Sequence, residues 1–155
     1  MSGSFRPFFV RDSAIGLVTL MLWILPLGYE SVEIARGVLL GLCALLLHEY
    51  GHLLGAALTG ASVKPAPLWS PFLFDLDTQT NSRTQLLWCS YVGFVATGLF
   101  LLLFWLFLPS QRLAGEIAMG IGLFLATLTV VIEFPIAWRI ARGYSVPKLE
   151  IFGRS

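Results

Sequence analysis

The sequence predicts an all-α membrane protein of about four transmembrane helices, with a re-entrant or interfacial segment between the second and third. Three observations carry this. The chain is 57% hydrophobic and 12% charged, against about 45–50% and about 25% in soluble globular domains. Its apolar residues gather into four runs, at residues 14–28, 34–58, 86–108 and 117–138. Most of the five tryptophans lie near the ends of these runs or between them, where amphipathic rings suit a membrane interface. A length of 155 residues suits one domain, and we read residues 1–155 as a single integral membrane domain.

The N-terminal flank carries Arg6 and Arg11 and no small-residue cleavage site comes after the first run, so no removable signal peptide is expected. The first run is shorter than the roughly 20 residues of a straight span, and it lengthens if Phe8, Phe9 and Val10 join it. Pro26 and Gly28 close it. The second run is interrupted only by Arg36 and by the segment His48-Glu49-Tyr50-Gly51-His52, and Gly60 ends it as a helix C-cap. A polar connection comes next, with Pro65, Pro67, Pro71, Asp75, Asp77, Asn81 and Arg83. Inside it Leu68 to Phe74 is apolar but too short to span, which predicts the re-entrant or interfacial segment. Pro109 stops the third run, and the fourth gives way at Trp138 to a polar, basic tail at residues 139–155.

Charge placement orients the spans. Arg6 and Arg11 precede the first, and Arg139, Arg142, Lys148 and Arg154 come after the last. An even number of spans puts both ends on one side, and the positive excess predicts that side to be cytoplasmic, in a cell (inner) membrane. With a net charge of +1 and no basic patch, nucleic acid is not an expected partner. The expected partners are the lipid bilayer and a membrane protein substrate or partner. Cys43 and Cys89 sit within apolar runs and read as packing residues.

His48 and His52 are the only histidines. Four residues apart on a helix, they project from one face, and two imidazoles so placed can bind one tetrahedral Zn²⁺. Glu49, next to the first, is positioned to act as general base. Ionisable groups at depth in a membrane helix are costly and mark functional sites. The bland alternatives are a Glu–His pair that merely joins helices, or a shallow, hydrated segment. A haem reading is weak, because residues four apart on one helix cannot take opposite axial positions and there is no third histidine. Ser70 and Ser90 have no spare histidine for a serine mechanism.

The stretch from His48 to Val63 resembles the metal helix of the site-2 protease family of intramembrane zinc metalloproteases. In that family HExGH is succeeded by Ala four, Gly eight and Val eleven residues on, and Ala56, Gly60 and Val63 stand there. Val92 to Gly98 is similar to the family's A-G-P-x-x-N motif, with Gly93 matching, Phe94 for proline and Thr97 for asparagine. The resemblance covers spans two to four. It implies Glu49 as catalytic base, substrate contact at Thr97, and an extended substrate strand near Pro71 to Leu76.

The departure lies in span four. The family takes its third ligand from a Leu-Asp-Gly motif, and here no aspartate comes after Pro135. Two histidines leave a catalytic zinc needing a third protein ligand, and an acid inside an apolar run needs a partner. Glu133 meets both demands. Its alternative is a membrane-edge carboxylate paired with Arg139 or Arg142, and Asp75 and Asp77 are the rival ligands. The expected activity is zinc-dependent hydrolysis of peptide bonds in membrane-embedded or membrane-proximal substrates. The alternative is a catalytically inactive scaffold or assembly subunit on the same fold.

Overall fold

The computed structural model describes residues 5–67, 73–76 and 79–144, with backbone alone at 75–76. It is mostly helical. Four helices, α1 (Arg6–Ile24), α2 (Glu30–Thr59), α3 (Arg83–Phe107) and α4 (Leu113–Ala141), are long and apolar enough to cross a membrane. One short antiparallel ribbon departs from the all-helical expectation: β1 (Val63–Pro65) pairs with β2 (Phe74–Leu76), with Lys64 opposite Asp75. The re-entrant segment was expected at Leu68 to Phe74, and residues 68–72 of it lie outside the described residues.

The first helix starts earlier than the apolar run, at Arg6, because Pro7 sits in its first turn, where a missing N–H costs nothing. It ends before Pro26. Arg36, 2% exposed, explains why a charge interrupts the second run. Its Nε donates to Leu22 O at 2.8 Å and its Nη1 to Leu27 O at 3.1 Å, and it also bonds Leu25 O and Glu33. Leu22 is in the last turn of α1, Leu25 caps it and Leu27 lies in the link to α2, so Arg36 serves carbonyls that the end of a helix leaves without helical partners. Glu33 also accepts from Arg112 Nη2 at 2.6 Å, so one acid links this knot to the turn before α4.

The second helix is central and packs on the other three. Its buried residues Gly37, Gly41, Ala44, His48, Gly51 and Gly55 form a stripe at spacings of four and three, one face of a helix. Small residues let backbones approach closely, the usual way membrane helices associate. A Cβ at Gly37 would stand 2.7 Å from Ile117 Cβ on α4, and one at Gly55 2.6 Å from Trp88 O on α3. The stripe therefore meets α4 at one end and α3 at the other, with His48 between. Ala44, Phe100, Phe104 and Ala118 form a buried cluster where the three helices meet.

At the other end of α2, Gly60 takes the left-handed conformation (φ 65°) that its C-cap role needs. Ser82 and Gln85 form a capping box at the start of α3. Gln85 Nε2 also donates to Thr59 O and Gly60 O, which joins the two helix ends. Asn81 accepts from Ser62 N at 2.6 Å and donates to Ser62 O at 2.8 Å, so both ends of the ribbon-bearing connection are tied together.

Candidate metal centre

His48, at the middle of the small-residue stripe, and His52, one turn on, turn their rings toward α3 and α4. Gly93 makes room on α3: a Cβ there would fall against the His52 ring. Glu133 arrives from α4 through a π turn, Thr129–Glu133, in which Phe134 N–H bonds Thr129 O. One extra residue in a helix rotates the preceding turns by about 100° relative to the succeeding ones, and such turns recur at functional sites. Pro135, which has no N–H to give, stands just beyond.

Three donor groups converge. His48 Nε2 lies 3.0 Å from Glu133 Oε1, His52 Nε2 lies 3.2 Å from Glu133 Oε2, and the two Nε2 atoms are 3.0 Å apart. Bonds of 2.0–2.1 Å to a tetrahedral ion set ligand atoms about 3.3 Å apart. The triangle is close to one face of that tetrahedron, and the three residues can hold a metal ion.

The outer nitrogens show which lone pairs face inward. His52 Nδ1 lies 3.0 Å from Cys89 O, an acceptor only, so it carries the proton. Thr97 Oγ1 lies 2.7 Å from His48 Nδ1 and donates its one proton to Gly93 O at 3.2 Å. It therefore accepts from His48 Nδ1–H. In neutral rings both Nε2 atoms are then bare, and they face each other and a carboxylate. Glu133 Oε2 is a buried oxygen without a hydrogen bond, although it stands 3.2 Å from His52 Nε2. Two lone pairs meeting at that distance repel unless a cation lies between them. A metal ion satisfies all three atoms. A proton satisfies one contact, as a His–Glu ion pair, so metal binding releases it.

Glu49 is buried on the same helix, and its Oε2 accepts from Leu73 N at 3.3 Å. Leu73, 1% exposed, is where the returning chain enters β2, and Ala66 N bonds its carbonyl at 3.1 Å. The connection between α2 and α3 thus folds back onto the candidate base.

The structure joins His48, His52 and Glu133, and Glu49, next to His48 in sequence, is buried as His48 is. Glu133 pairs with the histidines; among the described residues it has no bond to Arg139 or Arg142. The Asp75 side chain and all of Asp77 lie outside the described residues. Thr97 is on His48, a role the motif comparison did not suggest. Sequence reading also missed Cys89 O and Leu73 N–H. A main-chain donor or acceptor leaves no side-chain signature, whereas Arg36 stood out as the one cation inside a run. Comparison of the chain with protein-family models, curated proteins and solved structures finds no match.

Proposed function

We propose that this protein is a multi-pass membrane zinc metalloendopeptidase that cleaves membrane-embedded or membrane-proximal peptide segments. The observation that carries the reading is the inward-facing triangle of His48, His52 and Glu133, its two histidines on the helix that also bears Glu49. A zinc ion held there would supply Lewis acidity, activating water and polarising a scissile carbonyl. Glu49 takes the proton of the attacking water on its carboxylate and returns it to the leaving amine. Cys89 O and Thr97 Oγ1 hold the two rings in the tautomer that keeps Nε2 available. In this reading the substrate is an extended strand beside Leu73 to Leu76, with Thr97 close to its path, and both termini face the cytoplasm of a cell (inner) membrane.

Detergent-purified protein is expected to carry about one zinc per chain. Glu49→Gln should keep the zinc and lower peptide cleavage by about 10²–10⁴-fold. Wild-type protein without stoichiometric zinc would sink the reading. Zinc binding without cleavage, together with a cellular role that survives Glu49→Gln, would establish the scaffold instead. One observation favours that alternative: Leu73 N–H already engages the candidate base.

A further inference from the structure

Between the first turns of α3 and the last turns of α4 runs an apolar groove of about 330 Å³. Leu87, Tyr91, Phe94, Phe134, Trp138 and Ala141 line it. It extends from Leu87 to Phe94 and from Ala141 to Phe134, seven steps along each helix and roughly 10 Å at 1.5 Å per residue, which is most of one leaflet's hydrocarbon depth. Its deep end is closed by Phe94 against Phe134, whose centroids are 6.4 Å apart.

Its shallow end is cationic. The Arg142 guanidinium lies 4.7 Å from the centroid of the Trp138 ring, so the aromatic wall ends in a positive charge. Arg83, at the start of α3, reaches the end of α4 across the mouth: its Nη1 would lie 3.7 Å from a Cβ at Gly143. Arg139 is exposed on the same last turns. Among the described residues no carboxylate pairs with Arg83, Arg139 or Arg142. By contrast Arg36 and Arg112 at the opposite end are paired with Glu33.

We propose that this groove is a binding site for an anionic phospholipid, with one acyl chain along Leu87 to Phe94 and the phosphate between Arg83 and Arg142. A zwitterionic lipid fills the groove equally well but brings a choline or ethanolamine cation to the arginines. Discrimination therefore lies in the headgroup. The groove shares Phe134 with the turn that carries Glu133, so the bound chain braces the wall of the metal centre. The proposal rests on the four helices spanning a membrane and is independent of catalysis.

Native mass spectrometry tests it, on protein released from nanodiscs of equal phosphatidylglycerol and phosphatidylcholine. Each arginine near a charged lipid surface is worth about a fivefold preference, so wild type should retain phosphatidylglycerol over phosphatidylcholine by roughly tenfold or more. Arg83→Gln with Arg142→Gln should bring the ratio near one while total lipid retention persists. Ala141→Trp, which fills the mouth, should lower retention of both. Equal retention by wild type, or an unchanged ratio in the double variant, overturns the proposal. So does retention of a second copy of the chain, lost in Ala141→Trp, which assigns the groove to another protein. Protein that carries neither lipid sinks the membrane placement along with the site.

Discussion

Thr97 Oγ1 stands 2.7 Å from His48 Nδ1, across 49 residues of chain, and it accepts the proton that keeps His48 Nε2 free to ligate. Partners of this kind typically carry 10–100-fold of metal affinity. Thr97→Val removes the acceptor at nearly constant volume. It should weaken zinc binding by about 10–100-fold, measured by competition with a chromophoric chelator, while Thr97→Ser stays within a few-fold of wild type. Equal loss in both would mean that packing, and not the hydrogen bond, is what the residue supplies.

Gly93 and Gly98 offer a matched pair on one helix. A Cβ at Gly93 meets the His52 ring, while one at Gly98 meets nothing within 4 Å. Gly93→Ala should therefore displace the ring and lower zinc affinity at least tenfold, with cleavage falling in step; Gly98→Ala should change neither. The prediction fails if both variants bind zinc as wild type does.

Glu133 is the candidate ligand that no motif names. Glu133→Ala should abolish stoichiometric zinc, measured by elemental analysis, as should His48→Ala. Glu133→Gln keeps the shape and offers only a weak neutral oxygen, so it should retain the fold and lose most of the metal. Zinc that persists in Glu133→Ala would move the third ligand to Asp75, Asp77 or another chain.

Contact range decides how much of this was legible in the sequence. The His48–His52 spacing and the stripe Gly37, Gly41, Ala44, Gly51, Gly55 are periodic within one helix, so they are legible locally. Glu133 was legible by its cost, because an acid in an apolar run demands a partner. The π turn that aims it leaves no such trace, nor does the pairing of β1 with β2, whose three-residue strands are too short to show alternation. Leu73 reads as an ordinary apolar residue, and only the returning chain puts its N–H on Glu49.

Arg36 ties the end of α1 to the start of α2 and, through Glu33, to Arg112. Hydrogen bonds from a charged group contribute about 1.5–3 kcal/mol each. Some carbonyls at a helix end regain water when the arginine goes, so Arg36→Met should cost about 3 kcal/mol in all. The measure is thermal or denaturant unfolding in detergent. Glu33→Gln should cost less, because Arg36 keeps its three carbonyls, and an equal or larger loss there would place the stability in the ion pair instead.

The final prediction concerns how α1 is held. It packs on α2 and, of its three buried residues, two are polar. Tyr50 OH donates to Asp12 Oδ2 at 2.8 Å, and Thr19 Oγ1 lies 3.5 Å from Cys43 Sγ. Tyr50 lies between Glu49 and Gly51 in sequence, yet its ring turns away from the metal centre to stack on Phe9, 5.7 Å between centroids. Tyr50→Phe keeps the stacking and removes one interhelical hydrogen bond, a change worth about 0.6–1.7 kcal/mol in membrane helices. The expected outcome is faster protease cleavage between α1 and α2 with zinc content unchanged, since none of the metal donors touches Tyr50. Loss of zinc in Tyr50→Phe would show instead that α1 belongs to the architecture of the site and not only to its periphery.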